Sequence, residues 1–251
     1  MENKVKVFFI IPTLFAGGAE RVMSFVSQNL DKDKFDVTLI VIGFKKDSKY
    51  KISEIPVEFL NKHRVFHSLF KLINILGKQK PQVVISAISH LNSFMGFISI
   101  LFPKIKFIGR HTIVGVTDEK FKIENKKQRS FKKRIGQQFS YGVKLLDIIL
   151  CQSKDMYDEM ILNRDVPEHK LKTINNPITD NFELKSVTKE NRVVTNFITV
   201  ARISKNKGHK RIISALSKLN YPFHYTIIGD GMEKNNLFKQ INELGLQNKI
   251  T

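Results

Sequence analysis

Short, nearly uninterrupted apolar runs alternate along the chain with longer stretches whose apolar positions recur every three to four residues. The short runs predict strands at Val5 to Ile11, Asp36 to Ile42, Val57 to Leu60, Val83 to Ala87, Lys106 to Arg110 and Asp147 to Cys151. A strand that is apolar on both faces belongs in a sheet covered on both sides. Between them the helical period predicts helices at Ala19 to Leu30, Phe66 to Gly77, Leu91 to Leu101, Phe131 to Leu145 and Lys154 to Leu162. In the first of these, Val22, Phe25, Val26 and Leu30 share one face. Strand and helix in regular alternation give a doubly wound, parallel α/β sheet.

A short strand at Leu171 to Ile174 is followed by a polar stretch, Pro177 to Arg192, that carries neither period. A domain boundary is expected there, dividing the chain into 1–182 and 183–251. The same grammar then restarts with strand Asn196 to Ala201, helix Gly208 to Leu219, strand His224 to Ile228 and helix Glu233 to Leu244, and a further strand begins at Asn248 to Thr251. Two strands and two helices do not close a core by themselves, so the second domain is expected to be incomplete in this chain.

Composition narrows the class. An apolar content of 42% with 20 Phe supplies a buried core and excludes intrinsic disorder. The single cysteine, Cys151, excludes an intramolecular disulfide and an all-cysteine zinc site, and favours a reducing compartment. The apolar stretch Phe94 to Phe102 is about half of the ~20 residues that span a bilayer, and the N-terminal apolar run is too short for a signal peptide. A cytoplasmic protein is expected. The net charge of +19 is mostly lysine in a chain also rich in Asn, Ile and Phe, a bias that AT-rich coding can produce by itself. A basic surface attracts nucleic acid, phosphorylated sugars or an acidic membrane alike, so charge alone does not choose a partner.

Candidate chemistry lies where predicted strands end. The first strand leads into Phe15-Ala16-Gly17-Gly18-Ala19-Glu20-Arg21 and a helix. Paired glycines let a ligand approach the backbone, and a helix N-terminus offers unpaired N–H groups to an anion. A tight turn explains the same residues, and the dinucleotide-binding spacing is absent. The second domain opens similarly, with Arg202 and Lys207 in the loop Ala201 to Gly208 after its first strand. A guanidinium and an ammonium at the carboxyl end of a parallel strand suit phosphate oxygens, although a plain basic loop would look alike. The next strand ends at Ile228-Gly229-Asp230-Gly231, where glycines serve close approach or a sharp turn.

Together these segments resemble the family 4 retaining glycosyltransferases of the GT-B fold, over nearly the whole chain. The residues that carry the resemblance are Gly17-Gly18-Ala19-Glu20-Arg21, Cys151-Gln152-Ser153, Ile174-Asn175-Asn176-Pro177-Ile178, Ala201-Arg202 with Lys207-Gly208, and Ile228-Gly229-Asp230-Gly231. The resemblance implies two Rossmann-like domains facing a cleft, and transfer of a sugar from a nucleotide-sugar donor to an acceptor hydroxyl with retained anomeric configuration. It further implies that Arg202 and Lys207 grip the donor diphosphate and that Gly17 and Gly18 face it from the other domain through backbone donors. Fixed cations stabilise a leaving group that gains negative charge in the transition state. No cofactor or metal is expected; Asp31-Lys32-Asp33, the one Asp-x-Asp, reads as a solvated turn.

His111, after the strand ending in Gly109-Arg110, looks like the family's active-site histidine, which contacts the transferred sugar; a structural hydrogen bond is the alternative. His90, at the end of the preceding strand, is a weaker acceptor-side candidate. Glu20 either caps the first helix, where the dipole favours a carboxylate, or contacts the acceptor. Gly229, Asp230 and Gly231 are candidate donor contacts. His63, His67, His169, His209 and His224 are expected at the surface or in packing, Cys151 is expected to be inert, and Ser153 is expected to cap the following helix. The family's two glutamates, eight positions apart, do not occur before Thr251, so little or no turnover is expected of the 251-residue form alone.

The richest basic run, Lys120 to Arg134, holds eight Lys or Arg and one acid, with Phe121, Ile123 and Phe131 interleaved. Basic clusters beside apolar groups suit an anionic membrane surface, and peripheral binding at the inner membrane face is expected through this run. Lys62 to Lys80 has five Lys or Arg and no acid, and reads as a solvated helix face. The expected function is bacterial surface polysaccharide or glycolipid synthesis on a glycan or lipid-linked acceptor. The competing classes are a basic nucleic-acid-binding protein, for which no recognisable motif is present, and another GT-B enzyme such as a sugar-nucleotide epimerase.

Overall fold

The computed structural model describes residues 3–112, 141–178 and 194–251, and divides into two compact units, Met1–Asp180 and Asn181–Thr251. The first unit holds a parallel sheet of seven strands, β1 (Val5–Ile11), β2 (Phe35–Val41), β3 (Val57–Phe59), β4 (Val83–Ala87), β5 (Lys106–Arg110), β6 (Ile148–Cys151) and β7 (Leu171–Thr173), in the order β3-β2-β1-β4-β5-β6-β7. Helices α1 (Gly18–Gln28), α2 (Leu69–Gln79), α3 (Ser89–Ser99) and α4 (Lys154–Leu162) lie between them in sequence.

The apolar run of β1 sorts residue by residue into two cores, because successive side chains of a strand point to opposite faces. Phe8 and Ile10 pack with Ile40, Leu72, Leu76, Leu91 and Met95 on one face. Val7, Phe9 and Ile11 pack with Met23, Val37 and Leu39 on the other. Full burial of side chains of this size contributes roughly 1.5–3 kcal/mol each, which makes β1 the spine of the unit. Its central place also sets the site: β1 pairs with both β2 and β4, so the strand order reverses there. A crevice opens at the carboxyl ends of strands at such a reversal.

Two local features depart from the sequence pattern. The helix expected from Phe66 starts as a 3-10 turn, Val65–Ser68, before α2. It leaves Phe66 71% and Phe70 84% exposed. The strand expected at Val83 to Ala87 has those bounds, but the helix expected from Leu91 starts two residues earlier: Ile88 adopts φ 78°, and Ser89 and His90 form the first turn of α3. A positive φ is an outlier for a β-branched residue, and no periodicity along the chain announces it. Ser153 caps α4 as expected, its hydroxyl accepting from the Met156 N–H at 3.3 Å. The run Lys120 to Arg134 and the predicted helix from Phe131 as far as residue 140 lie outside the described residues.

In the second unit β8 (Thr195–Val200) and β9 (Phe223–Ile228) pair in parallel, and Ile250 bridges Tyr225 on the far side of β9. Helices α5 (His209–Leu216) and α6 (Lys234–Glu243) bring Ile213, Leu216, Leu237 and Ile241 onto Phe223 and Tyr225. Ile198, Val200 and Ile228 are exposed.

Candidate active site

In the second unit the loops after β8 and β9 are locked to each other at the carboxyl edge. Ala201 N–H donates to Ile228 O at 3.0 Å, and Ile203 N–H to Asp230 O at 2.8 Å. The approach is so close that a Cβ on Gly229 would lie 2.0 Å from Ala201 O, and one on Gly231 2.1 Å from Ile203 O. The neighbouring backbone therefore accounts for both glycines. Arg202 sits between the two hydrogen bonds, and its carbonyl lies 3.3 Å from Nε2 of the buried His209. Lys207 ends a 3-10 turn, Lys205–Lys207, that enters α5 through Gly208 at φ 75°. Arg202 and Lys207 are both exposed, so two cations stand on a braced loop at a strand's carboxyl end. The Asp230 side chain is 86% exposed and lies 3.8 Å from the Lys234 ammonium.

In the first unit Gly17 caps α1 from extended backbone, and its carbonyl accepts from Tyr50 Oη at 3.0 Å. Glu20 occupies the third position of the helix and folds back: a Cβ on Gly17 would meet its Oε2 at 2.2 Å. Thr13 Oγ1 donates to the other oxygen at 3.3 Å. A carboxylate is thus seated beside the helix N-terminus, where the dipole favours it. At Gly18 a Cβ would meet nothing within 4 Å, so the open approach to this loop is at Gly18.

His111 follows β5, its N–H donating to Leu150 O at 2.8 Å and its carbonyl accepting from Gln152 Nε2. Its ring is 2% exposed and turns toward α4, with Nε2 3.5 Å from Oε2 of the equally buried Glu159. Arg164 Nε lies 3.3 Å from the second Glu159 oxygen. The same carboxylate, added to burial, pushes the Cys151 thiol up to about 11, so Cys151 is protonated and inert at neutral pH. Beside His111, the buried Arg110 donates from Nη2 to Asn176 Oδ1 at 2.6 Å, and its carbonyl accepts from Asn92 Nδ2 at 2.9 Å. Burial holds the Arg110 guanidinium below its ordinary pKa.

Arg110, Glu159 and Asn92 escaped the sequence reading because each is defined by a partner far along the chain. Asn176 belongs to the Ile174 to Ile178 segment that carries the family resemblance, and Arg110 is what holds it. His90 is exposed, and desolvation lowers its pKa. It lines a pocket of ≈ 440 Å³ at the β1/β4 reversal, together with Thr13, Lys62, His63, Arg64 and Ile88.

Two family models match. The one described as Glycosyltransferase Family 4 covers residues 16–182, and the one described as Glycosyl transferases group 1 covers residues 180–251. The chain belongs to glycosyltransferase family 4. This glycosyltransferase is 24% identical over 254 residues to the N-acetylgalactosamine-N,N'-diacetylbacillosaminyl-diphospho-undecaprenol 4-alpha-N-acetylgalactosaminyltransferase of Campylobacter jejuni, covering 98% of this chain and 68% of that one. Among solved structures, HepE from Anabaena in complex with UDP superposes with a TM-score of 0.71 at 16% identity, covering 98% of this chain and 68% of that one. The UDP-GlcNAc 2-epimerase from Neisseria meningitidis gives 0.52 at 16% identity, covering 98% and 71%. The chain thus spans about two thirds of the length of these relatives, and its fold class is GT-B. Among the described residues no helix is long and apolar enough to cross a membrane.

Proposed function

We propose that this glycosyltransferase moves a sugar from a nucleotide-sugar to a hydroxyl of a glycan or lipid-linked acceptor, with retained anomeric configuration, in the synthesis of a bacterial surface polysaccharide or glycolipid. The observation that carries this reading is the braced loop after β8. Arg202 and Lys207 present a forked donor and a point charge at a parallel strand's carboxyl end. Two cations held in place take up the charge that a departing diphosphate gains, and they need no metal to do so. The backbone donors of Gly17 and Gly18 at the start of α1 are assigned to the same diphosphate, and Glu20 to the acceptor. Asp230 stands at the rim of the donor loop.

His111 is assigned to the transferred sugar. With its ring 2% exposed against Glu159, that role requires the imidazole to turn outward from α4. The acceptor class is supported by the Campylobacter relative, whose name specifies a diphospho-undecaprenol-linked substrate. Peripheral contact with an anionic inner membrane face, through Lys120 to Arg134, extends the proposal. The exposed Phe66 and Phe70, set among Lys62, Arg64 and Lys71, add a second basic and aromatic surface of the kind that sits at a lipid interface.

The test is a single-turnover reaction with enzyme in excess, a panel of isotope-labelled nucleotide-sugars and a diphospho-polyprenyl glycan. Labelled sugar should appear on the glycan with the donor's anomeric configuration. Free nucleotide accompanied by an epimerised sugar would instead identify an epimerase. Salt-sensitive DNA binding that nucleotide-sugars do not compete away would identify a nucleic-acid-binding protein.

A further inference from the structure

We propose that the pocket at the β1/β4 reversal is a phosphate subsite for the acceptor, holding the phosphate or diphosphate ester through which the acceptor is carried. This rests on the glycosyltransferase reading above and adds the group that is recognised and the residues that recognise it.

The pocket, ≈ 440 Å³, is lined by Lys62, His63, Arg64, His90 and Thr13 on its polar side, and among the described residues no carboxylate lines it. The Thr13 hydroxyl is engaged at the pocket's edge, where it donates to Glu20 Oε1 at 3.3 Å. A hollow lined by two cations and two imidazoles matches an anion with several oxygens better than a neutral sugar.

Its walls are built rather than incidental. The loop that carries Lys62 and Arg64 is tied to β2, with Lys62 N–H donating to Ile42 O at 2.8 Å and Asn61 N–H to Gly43 O at 3.2 Å. Asn61 adopts the left-handed conformation at φ 54° to make that turn. His63 is set against Phe44 with ring centroids 4.6 Å apart. On the opposite wall Ile88 takes its unusual φ of 78° and swings His90 into the first turn of α3, at the pocket's edge.

Arg202 and Lys207 belong to the second unit, whereas every lining residue belongs to the first. Immediately after Arg64 come the exposed Phe66 and Phe70, an apolar surface for the hydrocarbon that a lipid-linked phosphate brings with it.

The experiment titrates the 251-residue chain with inorganic pyrophosphate, farnesyl diphosphate and UDP, following histidine ring resonances by NMR and affinity by calorimetry. Pyrophosphate and farnesyl diphosphate should both shift the His90 and His63 rings. The double variant Lys62→Ala/Arg64→Ala should bind farnesyl diphosphate about tenfold or more weakly and UDP as before. Arg202→Ala/Lys207→Ala should do the reverse. Lys62 and Arg64 are exposed, so the first variant should fold, which circular dichroism checks. The proposal is overturned if farnesyl diphosphate binding ignores Lys62 and Arg64. It is also overturned if pyrophosphate binds and farnesyl diphosphate does not, or if UDP loses as much affinity as farnesyl diphosphate, which would give the pocket to the donor. If UDP ignores Arg202 and Lys207 while farnesyl diphosphate requires Lys62 and Arg64, the donor assignment fails and the pocket stands.

Discussion

Gly229→Ala tests how the donor loop is held. The added Cβ would lie 2.0 Å from Ala201 O and 3.0 Å from Ala201 C, against ordinary contacts of about 3.5 Å or more. Both neighbours are backbone atoms, so no side chain can rotate away. Relief requires the two loops to part by more than about 1 Å, which stretches one or both of the hydrogen bonds that flank Arg202, Ala201 N–H to Ile228 O at 3.0 Å and Ile203 N–H to Asp230 O at 2.8 Å. Each such bond contributes about 1 kcal/mol net, and overpacking of a tight contact costs about 1–3 kcal/mol. The sum is about 2–5 kcal/mol. At about 1.4 kcal/mol per tenfold, the amides of Ala201 and Ile203 should exchange with solvent about 30-fold to several-thousand-fold faster in native-state hydrogen exchange. Gly18→Ala is the control: its Cβ meets nothing within 4 Å, and alanine is the better helix former by about 1 kcal/mol, so exchange should be unchanged or slower in α1. Unaltered protection of Ala201 and Ile203 in Gly229→Ala would refute the reasoning.

Three further outcomes follow from the first unit. Glu159→Gln removes a negative charge that, after burial, raises the Cys151 thiol to about 11; the thiol pKa should fall, and as the chain has one cysteine, thiolate absorbance reads it directly. Desolvation lowers the pKa of His90 in the folded state, so the unfolded chain binds the extra proton more readily. The stability that neutral His90 contributes is therefore complete above its unfolded pKa of about 6.5 and is lost as pH falls below it. His90→Gln should flatten that part of a stability–pH curve measured by urea unfolding. Ser153→Ala deletes the hydroxyl that accepts from Met156 N–H and should lower stability by about 1 kcal/mol, seen as a reduced denaturation midpoint.

What the chain's pattern reveals and what it hides have a common physical cause. The central strands of the first sheet were legible because burial on both faces leaves a nearly continuous apolar run, as in Val5–Ile11 and Val83–Ala87. Ser153 was legible because a cap is a local bond. Arg202 and Lys207 could be placed on one loop because a strand end and a helix start fix that loop's position. The Arg110–Asn176 bond joins residues 66 apart in sequence, and the Glu159–His111 pair joins α4 to the end of β5. Neither leaves a periodic trace. Lys62 and Arg64 read as part of a solvated face, because only the folded turn at Asn61 brings their loop to the same hollow as His90. The glycines after β9 were legible as sites of close approach, but the partner is the neighbouring loop's backbone.

The central claim is that Arg202 and Lys207 grip the diphosphate of a nucleotide-sugar. Its most direct test is calorimetric binding of a nucleoside diphosphate panel to the native chain and to Arg202→Ala/Lys207→Ala. Charge-assisted contacts contribute about 1.5–3 kcal/mol each, so loss of both should weaken the preferred diphosphate about 100-fold or more, while the corresponding nucleoside, which has no phosphate, binds both proteins alike. Equal diphosphate affinity in the native chain and the double variant would contradict the account.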